Sequence, residues 1–201
     1  MSLIVMKFGG TSVGDLDKIS NVADIVEKSS KKNKIIVVLS AMAGETNKMQ
    51  NYINDINSEE KIENDLILTS GENVTIGLLS TILKQKKIKS IPLLGWQIPI
   101  ITDNNHQKAK ILNINKKRIK EYFKTYRVIV LAGFQGISEQ GFITSLGRGG
   151  SDTTAVAIAS AVNADRCDIY TDVDGVYTTD PNLEPKAKKI NKLAFEEMLE
   201  M

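Results

Sequence analysis

Residues 3–39, LIVMKFGGTSVGDLDKISNVADIVEKSSKKNKIIVVL, decide the fold. Leu3 to Phe8 is an apolar run, Ile19, Val22, Ile25 and Val26 recur at helical spacing, and Ile35 to Leu39 is again continuously apolar. The stretch reads as strand, helix, strand. Strands this apolar on successive positions are buried on both faces, as in a parallel sheet covered by helices on either side.

The rest of the chain repeats the alternation. Ile62 to Lys84 reads as two helices broken at Ser70-Gly71, with strand candidates after it at Ile88 to Leu94 and Ile98 to Thr102. Arg118 to Tyr122 is expected to be helical and Val128 to Phe134 to be a strand buried on both faces. Thr153 to Val162, Ala-rich and apolar nearly all round, is expected to be a buried helix with Ser151 or Asp152 as N-cap. Ile169 to Val173 reads as another strand. Lys192 to Met201, with Leu193, Phe195, Met198 and Leu199, reads as an amphipathic helix lacking a terminal cap. The expected class is α/β with a mostly parallel sheet, the site lying at the strands' C-terminal ends.

Composition sets outer limits. A chain of 201 residues, 42% hydrophobic and 25% charged, fits one globular domain with an adequate core, which excludes disorder as its default state. The 26 basic and 24 acidic side chains leave a net charge of +2 and no broad cationic footprint for nucleic acid. Lysines near Lys31 and Lys116 read as solvated helix faces. The single cysteine, Cys167, cannot form an internal disulfide and lies in an apolar run, so packing and a cytoplasmic setting are expected. MSLIVMKFGG has neither a basic leader nor a cleavage pattern, and no later segment reads as long enough to span a bilayer, so no membrane partner is expected.

The chemistry is expected in the loops. Lys7-Phe8-Gly9-Gly10-Thr11-Ser12 places a cation, bare backbone N–H groups and hydroxyls at a strand end, before a helix capped near Asp15. That suits a phosphate; the plain alternative is a Gly-Gly turn beside a chance lysine. A Cβ at either glycine would hold the backbone away from an anion and forbid some φ values open to the turn. Neither a Walker A loop nor the spaced glycine fingerprint of dinucleotide binders is present.

Leu146 to Thr154, LGRGGSDTT, is a second glycine-rich turn entering a helix. Arg148 offers a planar fork for a carboxylate, and Asp152 either caps the helix or orients lysine and backbone dipoles around a transferring group. Ser40 to Thr46, SAMAGET, leaves a buried strand with hydroxyls at both ends, and Ser70-Gly71-Glu72 sets an acid at a helix start, where the macrodipole alone would suffice. Thr171 to Pro181, TDVDGVYTTDP, follows a strand and could edge a nucleotide; it lacks the EF-hand ligand pattern.

Together KFGGTSV, SAMAGET, SGE, GRGGSDTTA and TDVDGVYTTDP, in this order and spacing, resemble the aspartate kinase branch of the amino acid kinase superfamily over essentially the whole chain. The resemblance implies a three-layer αβα sandwich. It also implies the reaction of ATP with L-aspartate to give ADP and 4-phospho-L-aspartate, the first step toward lysine, threonine and methionine. By motif position, Lys7, Gly9 and Gly10 would hold the transferred phosphate and Asp152 would organise that cluster. Ser40 and Thr46 would contact the substrate, Glu72 would take its α-amino group and Arg148 its α-carboxylate. Thr171, Asp172, Tyr177 and Asp180 would line the nucleotide pocket. Mg²⁺ is expected on the ATP phosphates, with no protein ligand assigned, and a homo-oligomer is expected of the full-length form.

Two departures accompany the resemblance. Asn182 stands where many relatives have Arg after Asp-Pro. The family's later Gly-Ala-Lys segment and its ACT regulatory domains have no counterpart in residues 1–201, so the expected domain is an amino acid kinase catalytic domain incomplete at its C-terminus. The rivals are a kinase for another small acceptor on the same scaffold, such as acetylglutamate, glutamate or UMP, and a ligand-binding domain without turnover. TSVGD, SAMAGET and GRGGSDTTA disfavour the first. An aspartate side chain, with a pKa near ~3.9, is already an ionised nucleophile at neutral pH and needs no general base. The lone His106, in the polar stretch Asp103-Asn104-Asn105-His106, is accordingly expected in a surface or loop role.

Overall fold

The computed structural model describes residues 1–171, 175, 178–179, 184 and 186–190. Met1–Tyr170 forms one compact unit and Thr171–Met201 another. In chain order the first unit comprises β1 (Leu3–Phe8), α1 (Leu16–Ser30), β2 (Lys34–Leu39), α2 (Glu45–Asp55), α3 (Lys61–Leu68), α4 (Ser70–Gln85), β3 (Ser90–Leu93) and β4 (Ile100–Thr102). It continues with β5 (Ile111–Ile114), α5 (Lys116–Tyr122), β6 (Val128–Ala132), β7 (Gln135–Ser138), β8 (Ile143–Ser145), α6 (Gly150–Val162) and β9 (Arg166–Tyr170).

The main sheet has five strands in the order β3-β6-β2-β1-β9, every neighbouring pair parallel. Because side chains alternate across a strand, Ile4, Met6 and Phe8 of β1 join the core built with α1 and α4, where Ile19, Val22, Leu79 and Leu83 are buried. Val5, Ile36, Val38, Ile129 and Leu131 point the other way, into a core shared with Ile119 of α5, Phe123 just after it, and Ala155 and Ile158 of α6. Two helical layers thus enclose the sheet, as expected for an αβα sandwich. The alternation also fixes a functional direction: Lys7 leaves β1 on the side of Val5, toward α6.

A second sheet, in the order β5-β4-β7-β8, was not expected from the sequence. Only β4 falls on an expected strand, Ile98 to Thr102; β5, β7 and β8, of three or four residues, are too short for a periodic signal, and the sheet's inward positions include hydroxyls. Thr102 and Thr144 meet there with their oxygens 2.6 Å apart, both fully buried.

Several expected boundaries move. The break between α3 and α4 falls at Thr69 rather than at Ser70-Gly71, and α2 occupies a polar stretch in which only Ile53 is buried. β9 pairs Ile4 with Arg166 through Phe8 with Tyr170, so it begins three residues before Ile169 and ends at Tyr170, while Val173 lies outside the described residues. Lys61–Gln85, contrary to expectation, reaches the length and apolarity of a membrane span. It is interrupted at Thr69, and Ile76, Leu79 and Leu83 of α4 fill the core. Cys167 is half-buried, and burial pushes its thiol up to about 11, which keeps it protonated and inert at neutral pH. His106 is a loop residue but not a surface one: its side chain is 11% exposed and faces Asp65. The expected helix at 192–201 lies outside the described residues. In the second unit, Thr178 and Lys188 exchange hydrogen bonds: the Thr178 N–H donates to the Lys188 carbonyl at 3.0 Å and Lys188 N–H to Thr178 Oγ1 at 3.1 Å.

Candidate active site

Strand β1 ends at Phe8, and the chain turns through Gly9 into a 3-10 turn at Gly10–Val13 before Asp15 caps α1, its carboxylate accepting from Lys18 N–H at 2.8 Å. Gly9 has φ −73° and ψ 168°, a conformation open to any residue, so the expected φ requirement does not hold there. Space is the reason instead. A Cβ on Gly10 would come within 2.9 Å of the Ala41 carbonyl, and one on Gly9 within 3.5 Å of Lys7 Nζ. At Gly10 bare backbone lets the β1 turn close on the β2 turn, whereas a Cβ on Gly9 would make only ordinary van der Waals contact with the ammonium.

Lys7 is 8% exposed, and its Nζ lies 2.8 Å from Asp152 Oδ1. Of the two readings of Asp152, capping is excluded: α6 takes Gly149 as N-cap, at φ 69°, with no side-chain cap bond, and Asp152 stands in the first turn. The carboxylate faces the lysine across the sheet edge. The two glycine turns, 140 residues apart in places along the chain, therefore meet at the C-terminal ends of the parallel strands, where such sheets bind ligands.

Glu72 enters from α4. A Cβ on Gly71 would lie 2.7 Å from Ala41 Cβ, so the glycine lets the helix start press against the β2 turn and brings Glu72 to it. Glu72 Oε1 accepts from Ala41 N–H at 3.1 Å, while Oε2 is buried without a hydrogen-bond partner among the described residues. The residue is 2% exposed, and burial pushes its carboxyl up to about 7 against the pull of its backbone hydrogen bonds. A buried acceptor lacking a donor is the complement of an incoming ammonium.

These groups converge. Lys7, Ser40, Thr46, Glu72, Arg148 and Asp152 line one cleft of about 330 Å³. Ser40 follows β2, Thr46 sits in the first turn of α2, and Arg148 is exposed in the turn before α6 with no partner among the described residues. Gly9 lies beside the lysine, whereas Gly10 packs against the β2 turn. Thr171 opens the second unit, and Asp172, Tyr177, Asp180 and Asn182 lie outside the described residues. Phe134, which also lines the cleft, was not expected there. It follows β6 with φ 66°, rare for a bulky side chain, and its N–H is held by Thr154 Oγ1 at 3.1 Å. Its one sequence signal was its place just after a buried parallel strand.

The arrangement offers a cation and a helix start for an anion, an orphan acceptor for an ammonium, and a free guanidinium for a carboxylate. The sequence profile of the amino acid kinase family matches residues 2–201. An aspartate kinase of Pseudomonas putida is 51% identical over all of this chain and 49% of its own length, and an aspartokinase of Rickettsia conorii is 48% identical over all of this chain and 51% of its own. The chain thus spans about half the length of the curated relatives it matches. Among solved structures, E. coli aspartokinase III in complex with aspartate and ADP superposes with a TM-score of 0.81 at 28% identity, covering 99% of this chain and 56% of that one. The aspartate kinase from Synechocystis gives 0.80 at 40% identity, covering 99% and 33%. A uridylate kinase from Archaeoglobus fulgidus, 22% identical with a TM-score of 0.68 over 100% of this chain and 78% of that one, shares the fold.

Proposed function

This chain belongs to the amino acid kinase family, and from that premise we propose that it is the catalytic domain of an aspartate kinase, transferring the γ-phosphoryl group of ATP to the side-chain carboxylate of L-aspartate. The observation that carries the reading is the convergence of Lys7, Ser40, Thr46, Glu72, Arg148 and Asp152, from separate segments, on one cleft. Relatives named aspartate kinase, one of them solved with aspartate and ADP, support the choice of acceptor.

The chemistry follows from charge. The nucleophile is already ionised, so the obstacle is its repulsion by the γ-phosphate: for unit charges ~4 Å apart at an effective dielectric of ~20, roughly 4 kcal/mol. At ~1.4 kcal/mol per decade this corresponds to about three decades of rate. Lys7 and the N–H groups at Gly9 and Gly10 offset that charge and hold the transferred phosphate, and Asp152, 2.8 Å from Nζ, keeps the ammonium aimed at it. Glu72 receives the α-ammonium on its orphan oxygen, Arg148 the α-carboxylate, and Ser40 and Thr46 fix the remaining polar edge. Thr171, Asp172, Tyr177 and Asp180 complete the proposal on the nucleotide side.

Magnesium enters as part of the MgATP substrate; among the described residues no three His, Cys, Asp or Glu side chains cluster to hold a resident ion. In full-length form the enzyme is proposed to be a cytoplasmic homo-oligomer opening the route to lysine, threonine and methionine. The test is hydroxamate formation from ATP, Mg²⁺, hydroxylamine and L-aspartate, by this chain and by the natural full-length protein. Product from the full-length protein, with glutamate and acetylglutamate giving no hydroxamate and UMP no release of ADP, is the expected result. Preference for another acceptor, or binding of aspartate without product, would overturn it.

A further inference from the structure

Asp65, on α3, is outside the cleft and fully buried. Carboxyl oxygens buried this deeply need donors to meet them. Here they are: Ser145 Oγ donates to Oδ1 at 2.6 Å, the Gln107 N–H is shared between Oδ1 at 3.1 Å and Oδ2 at 3.2 Å, and His106 Nδ1 lies 2.7 Å from Oδ2. Nothing in the proposed chemistry uses this cluster, and no sequence motif pointed to it.

Its partners flank the turn that carries Arg148. Ser145 ends β8, and its carbonyl accepts from Ala109 N–H at 3.0 Å, lacing the loop after β4 along the strand end. On the other side, a Cβ on Gly147, at φ 78°, would come within 3.2 Å of the Gln107 carbonyl. Gln107 and Ser145 also form walls of an adjoining cleft of about 740 Å³, to which Arg148 contributes as well. The guanidinium has no partner among the described residues, so its placement depends on the backbone on which it stands. Asp65 holds the Ser145 side chain, which precedes that backbone, and the Gln107 N–H, whose residue lies against Gly147.

We propose that Asp65 is a positioning residue for Arg148: by gripping Gln107 and Ser145 together it holds the Gly147 turn, and with it the guanidinium, where the α-carboxylate of the substrate binds. This rests on the reading of Arg148 given above. It distinguishes the Asp65 cluster from a buried network that merely stabilises the fold, because its effect should be confined to one end of the substrate.

The experiment uses the full-length protein and measures binding of L-aspartate and of β-alanine, which keeps the ammonium and the reacting carboxylate but lacks the α-carboxylate. Asp65→Asn is expected to weaken L-aspartate about tenfold and Ser145→Ala severalfold, with β-alanine binding and the KM for ATP unchanged. In an Arg148→Ala background neither substitution should weaken L-aspartate further, since contacts acting through one residue are not additive. Wild-type affinity in both variants, equal loss for β-alanine, or loss persisting without Arg148 would each overturn the proposal. Should Asp65→Asn fail to fold by circular dichroism, Ser145→Ala decides alone. If Arg148→Ala itself binds L-aspartate normally, the role of Arg148 in the proposed function falls first and the inference with it; if Arg148→Ala is weakened and the other variants are not, only the inference falls.

Discussion

Glu72 and Lys7 are both buried ionisable side chains at the same strand ends, yet they are satisfied differently. Lys7 has Asp152 at 2.8 Å, whereas one oxygen of Glu72 has nothing. Burial raises the Glu72 carboxyl from its ordinary 4.5 to about 7, so the folded protein keeps a proton that the unfolded chain releases. Stability from this group is therefore highest at low pH and falls as pH rises from about 4.5 to about 7. Glu72→Gln, which retains an acceptor for Ala41 N–H, should match the wild type in urea unfolding at pH 4 and exceed it at pH 8 by on the order of 1–3 kcal/mol. The ligand reverses the sign. An ammonium favours the ionised carboxylate, so wild-type affinity for L-aspartate should rise with pH up to about 7 and then level. Glu72→Gln should bind weakly at every pH, as calorimetry across pH 5–8 would register. Lys7→Ala, in the full-length protein, should lower turnover at least ~100-fold with an unchanged circular dichroism spectrum; a near-normal rate would remove the lysine from the transfer step. That these residues share one cleft was legible from the motifs carrying the family resemblance, since each motif alone also had a plain structural explanation. Phe134 was not, since an aromatic after a buried strand reads as core, and only its φ of 66° and its place in the cleft mark it out.

At the scale of elements, long periodic segments were readable and short or polar ones were not. β1, α1 and β2 follow from the apolar spacing of residues 3–39, because their buried positions repeat often enough to define a period. α2 buries only Ile53 and so left no stripe to read, and of the second sheet only β4, within the apolar run Ile98 to Thr102, was read as a strand, its partners being too short. The start of α6 was misjudged because Ser151 and Asp152 are good capping residues, whereas the cap is Gly149 in a left-handed conformation that glycine adopts without strain. That choice frees Asp152 to face Lys7. The same economy of space governs α4, whose first turn lies against Ala41. Gly71→Ala would place a methyl 2.7 Å from Ala41 Cβ. The variant should lose about 1–3 kcal/mol in urea unfolding through overpacking, and L-aspartate affinity should fall with it because Glu72 rides on the displaced turn. Stability lost with affinity intact would mean that the helix start can shift without moving the acid.

For the molecule as a whole, the parallel sheet divides the interior into separate cores, and that division places the site. Odd positions of β1 face α6 and even positions face α1 and α4, so one strand delivers Lys7 to the helix that carries Asp152, while the opposite layer supplies Glu72 from α4. This much of the architecture was implicit in the apolar runs. The burial of Asp65 was not, because a carboxylate on a helix reads as solvent-facing until the loop at His106 and the end of β8 are seen to close over it. If the sheet truly insulates its faces, damage to one should not propagate to the other. Leu79, in the core with α1 and α4, and Ile158, in the core with α5 and α6, are both fully buried. Leu79→Ala and Ile158→Ala should each lose about 2–5 kcal/mol, and the double variant should lose their sum to within about 0.5 kcal/mol in equilibrium urea unfolding. A shortfall well beyond that would mean that the strands between them relax as a unit, and that the lysine and the acid brought together at the sheet edge are held by one continuous core.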